Sequence, residues 1–194
     1  MSSNKTSHEA NVIFGATGDI GSALSSMLAD RGSRLFLAGR DSDRVRTLAS
    51  EIEAPSMSLD GVSPDQFERC LEAARAEHGQ ISGVVNCIGS LLLKPAHRTA
   101  SEEWDATLLA NLGSAFATVR ATARTMRQTG GSVVLISSAA ALTGLPNHEA
   151  IAAAKAAIVG LTRSAAASYA NSQLRFNAVA PGLVRTKMTQ HLWS

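Results

Sequence analysis

Short runs of β-branched and aliphatic residues recur along the chain, and longer segments with helical spacing separate them. Strands that are apolar at every position are buried on both faces, as in parallel sheets with helices above and below. The pattern therefore predicts an α/β fold, a doubly wound parallel sheet with helices on both faces. The predicted strands cover residues 12–14, 35–37, 84–85, 133–136 and 176–179, and residues 57–59 allow one more.

Two of the separating segments have a distinct apolar face. One helix is predicted to follow Pro64, with Phe67 and Leu71 on that face. A second helix is predicted from Ser101 onward, and one side of it carries Trp104, Leu108, Leu112, Ala115, Val119 and Met126.

Residues 1–194 contain no internal repeat, low-complexity segment or linker, so we expect a single domain.

The composition is that of an ordinary globular domain. Of 194 residues, 45% are hydrophobic and 18% are charged, which is enough apolar material for a sizeable core. The formal net charge of +2 is too small to indicate a nucleic-acid partner. Only Arg40, Arg44 and Arg46 form a short basic cluster.

The cysteines and the N-terminus bear on the cellular compartment. Cys70 and Cys87 are far apart and lack metal-ligand spacing, so we expect no metal site and a reducing environment. Residues 1–10 lack the apolar core of a signal peptide, and no apolar run approaches membrane-spanning length. We therefore expect a cytoplasmic protein without a membrane partner.

The first predicted strand and helix are joined by a glycine-rich turn, Gly-Ala-Thr-Gly-Asp-Ile-Gly at residues 15–21. Such a turn lets the backbone approach a pyrophosphate, and the N–H groups and dipole of the following helix stabilise its charge. Three glycines also suit a merely tight turn, but a strand before and a helix after favour dinucleotide binding. We predict cofactor contacts from Gly15, Thr17, Gly18, Asp19, Ile20 and Gly21.

Asp19 departs from the chemistry of such a turn. Its carboxylate would stabilise the helix as an N-cap, but it also lies where an incoming pyrophosphate would be repelled. The turn therefore predicts a dinucleotide site of reduced affinity.

The end of the second predicted strand bears on the choice of cofactor. Domains that select NAD usually offer an acid to the ribose hydroxyls about 20 residues after the turn. Here the strand ends with Gly39 and Arg40, and an arginine pairs well with a 2′-phosphate. This favours NADP. NAD stays possible, because Arg40 could be an exposed strand end and Asp41 could act as the acid.

Lys155 stands alone in an apolar stretch of residues 148–158, His-Glu-Ala-Ile-Ala-Ala-Ala-Lys-Ala-Ala-Ile. On a helix its neighbour one turn back is Ile151, which offers the ammonium neither a hydrogen bond nor a proton. A lysine that keeps its charge in water and buries only its stem is the common explanation for an isolated case. The motifs elsewhere in the chain decide between that explanation and a functional one.

Several motifs occur in the order found in one enzyme family. Asn-Cys-Ile-Gly at residues 86–89, Asn111, Ser137 with Ser138, and Asn-Ala-Val-Ala-Pro-Gly at residues 177–182 followed by Thr186 resemble the short-chain dehydrogenase/reductase family. The resemblance runs from the first strand almost to the last residue and implies a Rossmann-type three-layer sandwich. It also implies a dimer or tetramer, formed through the long helices near Ser101 and Asn147.

The resemblance implies a role for each catalytic position. In this family a lysine holds the nicotinamide ribose and lowers the pKa of a tyrosine, a serine steadies the substrate oxygen, and an asparagine anchors a proton-relay water. Lys155, Ser138 and Asn111 match these residues, but the tyrosine position is Ile151. Tyr169 is the only tyrosine, and it lies ~27 Å further along the helix axis, too far to substitute.

Asn111, Ser138 and Asn86 have structural alternatives, since each could bond nearby backbone without any chemistry.

The remaining cofactor contacts also follow from the resemblance. The implied contacts are Asp60, Asn86, Ile88, Gly89, Lys155, Pro181, Gly182, Val184 and Thr186.

The family normally continues past Ser194 with a mobile lid and a last strand at the sheet edge. Either the chain is short by nature or the sequence holds only part of it. In the first case the site is open on one side, and residues 91–93 and 139–145 give the remaining wall an apolar character.

Two functions remain open. The first is an NADP(H)-dependent oxidoreductase of short-chain type that acts on a small carbonyl or alcohol and is impaired by the missing tyrosine. The second is a catalytically silent dinucleotide-binding sensor or scaffold. Loss of general acid catalysis typically costs ~10²–10⁴-fold, so Ile151 alone does not decide between them.

Overall fold

The computed structural model describes residues 10–192, and its centre is one parallel sheet of six strands in the order β3-β2-β1-β4-β5-β6. All six predicted strands are present, so the prediction of a doubly wound parallel sheet is confirmed. Residues 1–9, on which the absence of a signal peptide depends, and residues 193–194 lie outside the described part. The strands are β1 Ala10–Phe14, β2 Arg34–Gly39, β3 Ser56–Ser58, β4 Ile81–Asn86, β5 Gly131–Ile136 and β6 Leu174–Val179.

Helices connect consecutive strands. The α-helices are α1 Asp19–Asp30, α2 Ser42–Glu51, α3 Pro64–His78, α4 Ser101–Leu108, α5 Ser114–Thr125 and α6 Glu149–Tyr169. A π-helical turn, Leu109–Gly113, joins α4 to α5. Short 3₁₀ helices occur at Ala96–Arg98, Ala139–Ala141, Ala170–Ser172 and Lys187–Leu192.

Alternation along β1 distributes its side chains between two hydrophobic clusters. Ile13 belongs to the cluster under α1 and α2, together with Leu37 and Val45. Val12 and Phe14 point the other way, into the larger cluster under α3, α5 and α6. There the rings of Phe14 and Phe67 pack with centroids 4.5 Å apart. Both faces of the sheet are therefore covered at β1, which explains a strand that is buried at nearly every position, whereas the edge strand β6 exposes Arg175 and Asn177.

The strand order reverses between β1 and β4, where the chain leaves one half of the sheet and begins the other. Both strands end at the same edge, since Phe14 pairs with Asn86 in the parallel register. The backbone N–H of Cys87 then donates to the Phe14 carbonyl at 2.8 Å. In open α/β sheets the crevice outside such a switch point is where ligands bind.

The helix predicted from Ser101 onward differs from the prediction. The π turn inserts a wider turn between α4 and α5, so residues on its two sides do not share one continuous face. Ala115 and Val119 are buried, as expected, but Trp104 is 39% exposed.

Helix α6 corrects the expectation that no apolar run approaches membrane-spanning length. The segment Glu149–Ser172 is long and apolar enough, by length and composition alone, to cross a membrane, with a mean hydropathy of 1.3. The same properties belong to core helices of globular domains, and α6 buries Ile151, Ala154 and Ile158 on the face toward the sheet.

Candidate functional site

The ammonium of Lys155 lies inside the molecule, at the carboxyl edge of the sheet. Its Nζ donates a hydrogen bond to the backbone carbonyl of Ile136, the last residue of β5, at 2.8 Å. The residue is only 8% exposed, so its charge is not in bulk water as a snorkelling lysine's would be. An ammonium has three N–H donors, and within residues 10–192 only the Ile136 carbonyl accepts from this one.

Burial changes the acidity of this group. Desolvation lowers the pKa of Lys155 from 10.5 to about 8, and the nearby Cys87 thiol opposes this to a lesser degree. Burial likewise raises the pKa of the Cys87 thiol to about 11, against a smaller lowering effect of Lys155. Near neutral pH the site therefore holds an ammonium beside a neutral thiol.

Two serines directly after β5 form hydrogen bonds that position the backbone around Lys155. The Ser137 hydroxyl donates to the backbone carbonyl of Lys155 at 2.8 Å and so fastens α6 to the sheet. The Ser138 hydroxyl accepts from the N–H of Ala140 at 3.1 Å, as the N-cap of a 3₁₀ helix. Since the Ser138 oxygen acts as acceptor there, its O–H remains able to donate to a ligand.

A cavity of about 160 Å³ lies over Lys155. It brings together all four predicted catalytic positions, Asn111, Ser138, Ile151 and Lys155. Of the predicted cofactor contacts, it also takes in Ile20, Ile88, Gly89, Pro181, Gly182, Val184 and Thr186.

Ile151 occupies the wall of this cavity one helical turn before Lys155. It is 3% exposed, so its hydrocarbon side chain is packed in place. The position from which the family's tyrosine would act is therefore apolar and holds no proton donor.

Asn111 lies in the π turn, and its side chain connects that turn to the loop after β4. The Nδ2 group donates to the Thr107 carbonyl at 2.9 Å and to the Ser90 hydroxyl and carbonyl at 3.1 and 3.3 Å. The bond to the Thr107 carbonyl is of the kind that the structural alternative from the sequence expects, a bond to nearby backbone. The amide also fixes Ser90 on the cavity wall.

The glycine turn contains two glycines that packing requires. A Cβ on Gly21 would lie 2.2 Å from the Gly15 carbonyl oxygen, and one on Gly15 would lie 2.9 Å from the backbone nitrogen of Ile88. Gly18 has an ordinary extended conformation and is the N-cap of α1, without a capping side chain. The turn thus leaves the backbone at the N-terminus of α1 accessible.

Asp19 is not the N-cap of α1, which corrects that interpretation of the sequence. It is the first residue of the helix, and its Oδ2 accepts a hydrogen bond from the backbone N–H of Lys187 at 2.6 Å. A carboxylate in the first turn is favourable for the helix dipole. It also joins the glycine turn to the segment that follows β6.

The residues expected at the ribose end lie outside the cavity, at the carboxyl ends of β2 and β3. Arg40 is exposed there. Asp41 caps α2, since its Oδ1 accepts from the N–H groups of Asp43 and Arg44 at 3.1 Å, and its carboxylate is thus engaged. Asp60 is exposed and accepts from the Ser58 hydroxyl at 3.2 Å.

Asn86 has a structural role in the described part of the chain. Its side chain is buried, accepts from the N–H of Ile88 at 2.9 Å and donates to the Ser114 hydroxyl at 3.3 Å. It therefore shapes the loop that carries Ile88 and Gly89 into the cavity. This is the structural alternative weighed from the sequence.

The sequence analysis missed several residues around the cavity. Ser137 was recognised only as part of a motif, because its role depends on a contact with α6. Arg44 was not expected to contact the glycine turn, where its guanidinium donates to the Thr17 carbonyl at 2.8 Å. Position within or next to a recognised motif could have indicated the other lining residues, which are Cys87, Ser90, Ile136, Met188 and Thr189.

Fold and site together define a doubly wound α/β protein with a ligand crevice at its topological switch point. A sequence model of the family described as enoyl-(acyl carrier protein) reductase matches residues 15–194. A solved structure of a short-chain type dehydrogenase/reductase from Mycobacterium ulcerans is similar, with a TM-score of 0.89 at 28% identity. That match covers 94% of this chain and 70% of the other.

Curated relatives have related activities in their names. The 3-oxoacyl-(acyl-carrier-protein) reductase of Mus musculus is 32% identical over 186 residues, which are 93% of this chain and 77% of the relative. The D-threitol dehydrogenase of Mycolicibacterium smegmatis is 29% identical over 188 residues, 94% of this chain and 72% of the relative. Carbonyl reductase family member 4 of Danio rerio is 32% identical, over 93% and 78%. The chain belongs to the short-chain dehydrogenase/reductase family.

The variant Lys155→Met tests the burial of the ammonium, since methionine keeps most of the side-chain length without the charge. The folded-state pKa of about 8 lies below 10.5, so the unfolded chain binds more protons in this window and stability rises with pH. Relative to the variant, the parent should gain up to ~3 kcal/mol in free energy of unfolding across the window. Urea unfolding at both ends of the window measures this; parallel pH dependences of parent and variant would contradict it.

Proposed function

We propose that this chain is a short-chain oxidoreductase that prefers NADP(H) over NAD(H) and acts on a carbonyl or alcohol, at a rate reduced by the loss of the tyrosine. The observation that carries the proposal is the buried ammonium of Lys155, which lines the same cavity as Ser138. Within the described residues, one protein acceptor bonds to the N–H groups of this ammonium. The reductase and dehydrogenase names of the relatives support the reaction class.

The residues present fit a dinucleotide. The packing of Gly15 against Ile88, with no room for a Cβ, leaves a backbone surface at the helix N-terminus of the kind that binds pyrophosphate. At the other end, the unsatisfied N–H groups of Lys155 suit ribose hydroxyls as acceptors. When bound, the nicotinamide supplies or accepts the hydride. The residues proposed to hold the dinucleotide are Gly15, Thr17, Gly18, Ile20, Gly21, Arg40, Asp60, Ile88, Gly89, Lys155, Pro181, Gly182, Val184 and Thr186.

Ser138 is proposed to orient the substrate oxygen. Its oxygen already accepts from Ala140, so its O–H is available to donate to a carbonyl in the cavity. Lys155 adds a positive charge at the same wall, which favours the negative charge that develops on that oxygen. Neither residue requires a further charged group for this task.

The cavity walls indicate an uncharged substrate of apolar character. Among the described residues that line the cavity, Lys155 is the only one ionised at neutral pH, and much of the remaining wall is hydrocarbon. A cationic substrate would lose hydration there and be repelled by Lys155, and an anionic one would compete for the ammonium that is proposed to hold the ribose. Hydrocarbon lining comes from Ile20, Ile88, Leu91, Ile136, Ile151, Val184 and Met188.

The proton is the weak point of the proposed reaction. Ile151 holds none, and burial keeps the thiol of Cys87 a poor acid. We propose that a water near Asn111 and Ser90 supplies the proton, in place of a positioned phenol. A positioned general acid typically contributes ~10²–10⁴-fold, so turnover is slow without it.

A silent dinucleotide-binding protein is the second candidate, and the packing of Ile151 favours it. A buried isoleucine completes the cavity wall with hydrocarbon at the position where the family has its proton donor. Such a protein would retain Lys155 and the glycine turn for binding alone. The two candidates differ in turnover and agree in cofactor binding.

The variant Ile151→Tyr distinguishes them. If Ser138 and Lys155 are positioned for chemistry, the new phenol gains a nearby ammonium that lowers its pKa, and carbonyl reduction should rise ~10²-fold or more. NADPH oxidation with a panel of apolar ketones and aldehydes measures this. Ile151→Phe is the matched control, because it adds the ring without the acid and should give no gain.

Lys155→Met in the Ile151→Tyr background should remove the gained activity. An Ile151→Tyr protein that folds, binds NADPH and reduces no member of the panel would overturn the oxidoreductase proposal. The silent dinucleotide-binding function would then be the better account.

Arg40→Ala tests the preference for NADP(H). Arg40 is exposed at the end of β2, and Asp41 is engaged as a helix cap, so the guanidinium is available to a 2′-phosphate. Calorimetric titration of the parent should give tighter binding of NADPH than of NADH, and Arg40→Ala should bring the two affinities together. Arg46→Ala removes the same charge from α2, where Arg46 pairs with Asp43, and should leave the ratio unchanged. Equal affinities in the parent would contradict the assignment.

A further inference from the structure

A hydrogen bond connects the N-terminus of α1 to the segment after β6. The Oδ2 atom of Asp19 accepts from the backbone N–H of Lys187 at 2.6 Å, although 168 positions separate the two residues in the chain. We call residues 181–189 the strap, because Gly182, Val184 and Thr186 within it form one wall of the cavity over Lys155. Asp19, the first residue of α1, therefore holds the strap that forms one wall of the candidate cofactor site.

The strap is internally bonded near this anchor. The hydroxyl of Thr189 donates to the Val184 carbonyl at 2.6 Å, and its backbone N–H donates to the Thr186 hydroxyl at 3.3 Å. The N–H of Thr186 in turn donates to the Thr189 hydroxyl at 3.1 Å. Residues 184–189 thus form a compact, internally bonded unit, and the bond to Asp19 anchors it to the N-terminus of α1.

The carboxylate of Asp19 also places a negative charge at the N-terminus of α1. Asp19 is the acidic residue in the first turn of α1, and the N-cap Gly18 offers that turn no side-chain acceptor. A helix N-terminus of this kind, after a glycine turn, is where a dinucleotide places its pyrophosphate. Here the helix dipole already has a negative partner from the protein itself.

We propose that Asp19 is a gating residue for the cofactor: its carboxylate serves as an internal anion at the N-terminus of α1 and holds the strap closed through Lys187, so a dinucleotide must displace it to bind fully. The inference rests on the proposed dinucleotide function. It goes further in assigning Asp19 a positioning role that acts through the strap.

Other charged side chains lie around Asp19 and bear on the state in which its bond to Lys187 is broken. One surface cavity brings Asp19 together with Thr17, Arg44 and Lys187, and another brings it together with Arg185 and Lys187. Asp43 and Glu51 also line the first of these, so the charges there are mixed. Arg44, Arg185 and Lys187 thus bring positive charge to the surface around the Asp19 carboxylate.

Binding measurements on Asp19 variants test the gate. Calorimetric titration with NADPH should show about 5-fold or tighter binding for Asp19→Ala, which removes both charge and acceptor. Asp19→Asn keeps an acceptor without the charge and should fall between parent and Asp19→Ala. Asp30→Asn, a loss of the same charge at the far end of α1, should match the parent.

Two further measurements separate the gate from a general change in charge or stability. Adenosine 2′-monophosphate lacks the pyrophosphate, so its affinity should be the same in the parent and in all three variants. Amide hydrogen exchange at Lys187 should be faster by about 10-fold or more in Asp19→Ala, since its acceptor is gone, and unchanged in Asp30→Asn.

Unchanged or weaker NADPH binding by a folded Asp19→Ala would overturn the gate, as would slow exchange of the Lys187 amide in that variant. Failure of the proposed function looks different. In that case the parent and every variant would bind neither NADPH nor adenosine 2′-monophosphate, and the gate would be wrong together with the dinucleotide site.

Discussion

The hydrogen bond between the Lys155 ammonium and the Ile136 carbonyl is the contact on which the site depends. It places a charge at the carboxyl edge of a sheet whose central strands are buried on both faces, and burial costs that charge enough to lower the pKa of Lys155 to about 8. The fold sustains this cost by fastening α6 to β5 through Ser137, so that the lysine is held where a ligand can complete its hydrogen bonds.

The sheet could be predicted from the sequence because its cause is local. Strands such as residues 133–136 are apolar at every position, and that pattern requires cover on both faces. Ser138, Ile151 and Lys155 could be placed for a different reason, the resemblance of their motifs to those of a known family, and the structure brings them together from the end of β5 and from α6. The role of each residue in the reaction was not accessible in this way and remains a proposal.

Other features depend on contacts that sequence spacing does not encode. The π turn around Asn111 is stabilised by side-chain bonds to Ser90 in another loop, so helical periodicity from Ser101 onward did not predict it. The bond from Asp19 to Lys187 joins opposite ends of the chain. Sequence reasoning recognised the charge of Asp19 but not its partner, and the expected helix-capping role was wrong for that reason.

Lys155 is proposed to be buried so that its ammonium holds a dinucleotide, and its side chain is therefore the most direct object of measurement. Nuclear magnetic resonance of ¹³Cε-labelled lysine, with Lys155→Met to assign the signal, follows its titration with and without saturating NADP⁺. We expect the Lys155 signal to titrate near pH 8 and to move when NADP⁺ binds. A Lys155 signal that titrates near 10.5 and does not respond to the dinucleotide would contradict the account.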